Sequence, residues 1–257
     1  MRRIPVLPLL LLLPFPSMGA LPEFTAEYDF ERGRLKIGET RMQLERSQED
    51  IYRYTSEAKA SGFVSLFVKD IITEESIFRF KDEQFWPVSY QYRQQNSSKN
   101  RNESIAYDWT EGYAQVDYRG HESQPKLKPG TLDRFLLQLA ITAHVQDGEI
   151  DRAYRILDNG RVKEYRLQSH GLETVVTPAG QYNALRVTRV DKDPDKNLRM
   201  WLAPEIGYLP VKIEQEKSNE ETLRLTLKRL QTGTAETASE TPAHADSGQV
   251  RGNVTPR

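Results

Sequence analysis

The sequence has no cysteine among its 257 residues. Disulfides, thiol nucleophiles and cysteine-bound zinc are excluded together, so side-chain packing alone must hold the core. An excess of one charge is also missing: 36 Lys and Arg face 37 Asp and Glu, for a net charge of -1. That balance excludes a strongly basic, nucleic-acid-binding body. After the first few residues, no apolar run approaches the roughly 20 that a membrane-spanning helix needs. A phosphate-cradling Gly-rich loop, a Gly-x-Ser-x-Gly nucleophile elbow and a His-Glu-x-x-His zinc motif are all absent.

What is present divides into leader, body and tail. Residues 1–20 read as a secretory signal peptide. Arg2 and Arg3 supply the positive start, Val6 to Leu13 with Phe15 the apolar centre, and Ser17, Gly19 and Ala20 the small residues of a cleavage site. The apolar centre is too short for a bilayer anchor, and no Cys follows it to carry a lipid. The expectation is export as a soluble periplasmic protein. Residues 232–257 are rich in Thr, Ala, Ser, Gly, Glu and Pro. Such a polar tail cannot offset its own ordering entropy, so it reads as disordered. Residues 21–231 are left as a single β-rich domain.

In that body, apolar residues recur at a spacing of two. Examples are Phe24, Ala26, Tyr28 and Phe30; Trp86, Val88, Tyr90 and Tyr92; Ile105, Tyr107 and Trp109; Ala114, Val116 and Tyr118; and Leu223, Leu225 and Leu227. A period of two places each set on one face of a half-buried antiparallel strand. Asp158-Asn159-Gly160, Glu111-Gly112 and Pro178-Ala179-Gly180 supply hairpin turns between such runs. Leu132, Phe135, Leu136, Leu139, Ala140 and Ala143 break the pattern with a helical spacing, and Thr131 stands where a cap belongs. The fold class is therefore mainly β, a β-rich α+β chain. Roughly a dozen strands form a strongly curved antiparallel sheet or open half-barrel, because twist accumulates across so many strands, with one main helix near residues 131–146. Ser61 to Val68 is apolar without alternation, and strand edge, helical turn and exposed apolar loop all remain open for it.

The Asp133 to Leu139 helix after a Pro-Gly turn, Glu173 to Gly180, and above all Trp201-Leu202-Ala203-Pro204-Glu205-Ile206-Gly207-Tyr208-Leu209-Pro210-Val211-Lys212-Ile213 carry a family likeness from about Lys126 onward. They resemble domain of unknown function 3108 (DUF3108), a family of exported bacterial proteins. Tyr28, Gly38 and Ser61-Gly62 are similar to the family's opening strands. The resemblance implies no activity and no catalytic residues. It extends, by fold analogy, to the curved sheet and helix of periplasmic lipoprotein carriers. Read physically, Trp201, Pro204, Gly207, Tyr208 and Pro210 build a structural hairpin. Strict alternation would put Tyr208, Pro210 and Lys212 on one face of its return strand, and Pro210 calls for an edge or a bulge.

Motifs that carry chemistry are largely absent. Asp191, Asp193 and Asp195 resemble the start of a calcium loop, but Lys196 and Leu202 stand where it needs Gly and Glu. His121, His144 and His170 are too dispersed to suggest a metal site. Glu74-Glu75 and Glu220-Glu221 are neighbours on strands, so each pair points to opposite faces and forms no acid/base couple. No metal, cofactor or catalytic residue is assigned. The remaining candidate is an apolar ligand face of Trp86, Tyr90, Tyr92, Tyr107, Trp109, Phe135, Leu136 and Leu139, unless these rings simply fill the core. Three functions stay open. The leading one is non-enzymatic binding of a lipid or acyl chain between sheet and helix. The others are an envelope scaffold with a filled core, engaging a protein partner, and a hydrolase of envelope polymer.

Overall fold

The computed structural model describes residues 20–66, 71–95, 101–148, 151–190, 196–217 and 221–233. Nearly all of the leader, the tail beyond residue 233, and the Asp191, Asp193 and Asp195 segment lie outside the described residues.

Alternation in the sequence becomes a 15-stranded sheet. Its first half is a meander: β1 (Phe24–Arg32), β2 (Leu35–Arg46), β3 (Ile51–Ala60), β4 (Ile71–Lys81), β5 (Gln84–Gln95), β6 (Asn102–Asp108), β7 (Tyr113–Tyr118) and β8 (His121–Ser123). The chain then crosses to the far end of the sheet and lays down β9 (Thr131–Asp133), the helix α1 (Leu136–Gln146) and β10 (Ala153–Asp158). A second meander returns through β11 (Arg161–Thr177), β12 (Gly180–Val190), β13 (Lys196–Ala203), β14 (Leu209–Lys217) and β15 (Leu223–Thr232). β15 pairs with β1, so the spatial order runs from β8 down to β1, then from β15 down to β9. Every pairing is antiparallel except β9 with β10, which flank the helix.

One face of the sheet carries the core. Phe24, Ala26 and Tyr28 of β1, Met42 and Leu44 of β2, Tyr52 and Tyr54 of β3, and Phe78 of β4 are all buried at the expected spacing. The helix lies in the concavity, with Leu136 and Ala140 at 0% exposure and Ile141 at 1%. Phe135, just before it, stacks on Tyr54 with ring centroids 4.0 Å apart. Side chains with no accessible area leave no water-sized hollow beside them, so the space beneath the helix is filled.

Three local features depart from the sequence reading. First, the helix begins at Leu136 rather than near residue 131. Thr131 to Asp133 form a strand, and the capping group is the Asp133 carboxylate, whose Oδ1 accepts from the Phe135 and Leu136 N–H groups at 3.0 and 2.7 Å. Second, Ser89 pairs with Ile77 and Pro87 with Phe78, which leaves Val88 as the extra residue of a bulge. The bulge reverses the faces, so Trp86, opposite Arg79, does not share a face with Tyr90 and Tyr92, opposite Ser76 and Glu74. Third, β14 does contain a bulge near its proline, and the slip pairs Pro210 with Leu202 while Lys212 pairs with Trp201. Pro210 and Lys212 therefore lie on opposite faces. The Ser61-Gly62 segment resolves into a 3-10 turn, Gly62–Leu66, with Phe63 and Leu66 exposed.

The sheet does not close into a barrel. Its β9 end contacts the inner side of β4 and β5 instead of pairing with β8: Ser76 Oγ of β4 donates to Asp133 Oδ1 at 2.8 Å. The β10–β11 turn reaches β6, where the Asn159 N–H donates to Glu103 Oε1 at 2.8 Å. At Gly160 of the same turn an added Cβ would stand 2.8 Å from Ser123 Oγ of β8. The two ends overlap like a coil, and side chains, not strand pairing, fasten the seam.

Candidate functional site

Several buried polar and charged groups gather at the seam. Four chain segments meet there. β4 contributes Glu74 and Ser76, β6 contributes Glu103, the β9–helix junction contributes Asp133 and Arg134, and the β10–β11 hairpin contributes Asp158 and Lys163. Alternation brings Glu74 inward, while its neighbour Glu75 points out and pairs with Arg53. Asp158 is carried by a tight turn in which Asn159 and Gly160 adopt φ of 53° and 70°, the left-handed geometry that Asn-Gly accepts.

Arg134 is the centre. Its Nε donates to Glu74 Oε1 at 3.1 Å, and Nη1 lies 3.7 Å from Asp158 Oδ1. The guanidinium sits over the Tyr92 ring at 4.6 Å and the Tyr90 ring at 5.6 Å. Two aromatic planes thus fix the orientation of one cation. Glu74 Oε1 also accepts from the Tyr90 hydroxyl at 2.7 Å, and Asp158 Oδ2 pairs with Lys163 Nζ at 2.6 Å. Burial draws the Arg134 charge down, but Glu74, Tyr90, Glu103 and Asp158 outweigh it and hold the guanidinium above its ordinary value.

Two carboxylates respond to burial in the same direction. Burial pushes the Glu103 carboxyl up, against the opposing pull of Arg134 and the Asn159 N–H. Burial also pushes Asp133 up, to about 6, although three donors converge on its Oδ1. Asp133 Oδ2 and Glu103 Oε2 are buried without a hydrogen-bond partner. Low dielectric around an incompletely solvated carboxylate disfavours its charge.

Beside Arg134 the overlap leaves a cleft of about 430 Å³. Its walls include Tyr92, Tyr118, Tyr165, Leu137 and Leu198, and five basic side chains against three acidic ones. A hollow of about 480 Å³ on the outer side of β2 to β5 involves Arg41, Glu57 and Glu75. That hollow lies among solvated strand side chains with local ion pairs, whereas the seam cleft joins segments distant in sequence around a fixed cation.

The apolar face expected from sequence is dispersed. Tyr90, Phe135, Leu136 and Leu139 belong to the buried core. Tyr92 and Phe135 also border the cleft. Trp86 and Trp109 meet edge to face at 5.1 Å, and Trp109 stacks on Tyr107 and donates to the Pro87 carbonyl at 2.7 Å. Those rings close one end of the β5–β6 pair. In the Trp201 hairpin, the indole donates to Glu173 at 2.9 Å and carries Lys212 Nζ over its ring at 4.1 Å. Among the described residues, no group of three or more His, Asp or Glu side chains is placed to hold a metal ion, and no helix is long and apolar enough to cross a membrane.

Sequence reasoning missed Arg134, Glu103 and Asp158. The one available signal is Arg134 itself, a cation set between Leu132 and Phe135 at the mouth of an apolar helix.

With this geometry in hand, the class is plain: a mostly β protein with a large curved open sheet and one main helix. The chain belongs to the DUF3108 family, proteins of unknown function, whose pattern matches residues 23–228. Among solved structures it is similar to a β-barrel-like protein of domain of unknown function DUF1849 from Brucella abortus. That likeness has a TM-score of 0.54 at 12% identity and covers 84% of this chain and 100% of that one. It shows a shared fold. A second structure, from Parabacteroides distasonis and titled a "putative lipoprotein", aligns at a TM-score of 0.32 and 8% identity over 82% of this chain and 96% of its own. Among curated proteins no match is found.

Proposed function

We propose that this is an exported, non-enzymatic protein of the bacterial cell envelope that holds an amphiphilic ligand carrying a lipid or acyl chain. The ligand lies in the seam cleft, not beneath the helix. The observation that carries this reading is the contrast between a filled interior and an open cleft of about 430 Å³ walled by Tyr, Leu and fixed charges. The volume falls in the range of small-ligand sites, and the walls are more charged than is usual for them. The leader pattern of residues 1–20 supports export to the periplasm.

The test is native mass spectrometry of the full chain, expressed with its leader and recovered from the periplasm, followed by analysis of extracted lipid. A discrete adduct that disappears in Leu198→Glu, with unchanged circular dichroism, is the expected result. A clean apo mass across preparations would overturn it. That outcome would favour the second reading, a scaffold that engages an envelope protein partner, which the filled core supports.

A further inference from the structure

The charges around the cleft do not cancel. Glu74, Asp158 and Glu103 are each engaged by donors of the protein itself: Tyr90 and Arg134, Lys163, and the Asn159 N–H. Arg101 and Arg119 stand at the mouth, and among the described residues no carboxylate lies within ion-pair reach of either. Both still act inside the cleft, where with Arg134 they oppose the effect of burial on the Tyr92 hydroxyl. The basic groups arrive from separate elements: Arg101 just before β6, Arg119 from the β7–β8 turn, Arg134 before the helix, Lys163 from β11 and Arg189 from β12. A planar carboxylate would use one or two of them. A tetrahedral anion, with oxygens pointing several ways, can use donors that converge from different sides.

Resting on the reading of the cleft as a ligand site, we propose that it recognises a phosphate group, with Arg134 as the oriented floor and Arg101 and Arg119 as the charged mouth. The Tyr and Leu walls then take the part of the ligand adjoining the phosphate. A lipid headgroup and a soluble phosphate both present this chemistry.

The experiment is isothermal titration calorimetry on the full chain with three probes: dodecyl phosphate and dodecyl maltoside, each below its micelle concentration, and inorganic phosphate. It compares the native protein with Arg101→Glu/Arg119→Glu, two exposed substitutions whose folding is checked by circular dichroism. Dodecyl phosphate is expected to bind about tenfold or more tightly than dodecyl maltoside at low salt, with the advantage shrinking at high salt and lost in the double variant. Competition by inorganic phosphate would identify a soluble phosphate as sufficient, and its failure to compete would identify a lipid-like phosphate. Equal affinity for the two amphiphiles, or a phosphate preference untouched by the double variant, would overturn the phosphate assignment while the cleft reading stands. Binding of none of the three probes would overturn both.

Discussion

Asp133 is the residue whose replacement tests the seam most directly. It is fully buried, and its Oδ1 does three tasks at once. It takes the Phe135 and Leu136 N–H groups at the start of the helix, and it takes the Ser76 hydroxyl across the seam. Burial raises the carboxyl from 3.8 to about 6, helped by the nearby charge of Glu74 and resisted by those three donors. For an acid whose folded pKa lies above its unfolded one, the native state holds the proton more tightly. Stability from this group is then greatest in acid and falls as pH rises between 3.8 and about 6. A shift of that size makes the ionised group cost about 3 kcal/mol above the window, of which about 2 kcal/mol accrues between pH 4.5 and 7.5. Asp133→Asn keeps an oxygen for the three donors and removes the titration. Any constant cost of burying its amide cancels when the same variant is compared with itself at two pH values. Urea unfolding followed by circular dichroism at pH 4.5, 5.5, 6.5 and 7.5 should therefore show the variant gaining about 2 kcal/mol on the native protein across that range. Parallel pH profiles for the two proteins would refute the reasoning, because a carboxylate in the ionic state on both sides of folding contributes no slope.

Three further outcomes are expected. Phe135→Ala removes a ring stacked on Tyr54 in the filled space beside the helix and should cost about 3–5 kcal/mol in urea unfolding. Gly38→Ala would drive a Cβ into the Lys59 carbonyl of the neighbouring strand and should cost about 2 kcal/mol, read as a lowered thermal midpoint. Arg134→Met leaves Glu74 and Asp158 without their shared cation. With the guanidinium about one-third exposed, the cost should be discounted to about 2 kcal/mol, and amide exchange at Phe135, Leu136 and Asn159 should rise relative to β1–β3.

Much of the fold was legible because a half-buried strand writes its face into the sequence. The sets at Phe24 to Tyr28 and at Ala114 to Val116 were readable for that reason, and Asn159-Gly160 announced its turn. Reading failed where the period slipped. The bulge at Val88 separates Trp86 from Tyr90, and the slip near Pro210 separates it from Lys212, although proline within a strand had signalled a break. The helix start was misplaced because a Thr and an Asp lay two residues apart, and only the tertiary position of β9 makes Asp133 the cap. The site was the least legible part. Its contacts join residues 57, 60 and 56 positions apart, Ser76 with Asp133, Glu74 with Arg134, and Glu103 with Asn159. No local spacing encodes such pairs.

The distribution of polarity along the inner face bears on the site proposed at the overlap. A closed barrel would pair β8 with β9 and satisfy both edges with backbone hydrogen bonds, leaving the interior free to be apolar throughout. Here the inner face carries Tyr28, Met42, Tyr52 and Phe78, with the uncharged Thr40 and Ser56 also buried on it, while the acidic Glu74 and Glu103 stand with Ser76 where the β9 and β10 ends lie against it. Each of these polar groups would cost free energy if buried alone. Some serve the seam directly, as Ser76 does for Asp133 and Glu103 for the Asn159 amide. Arg134 goes further than fastening requires. A fastener could be neutral, but this one is a cation held over two neighbouring tyrosine rings beside a cleft whose other basic groups come from four more places in the chain. Five basic side chains against three acidic ones leave the cleft with a net positive charge, which the proposed anion would offset. The seam therefore explains how an open sheet of 15 strands keeps its core dry, and it is where the proposed ligand would lie.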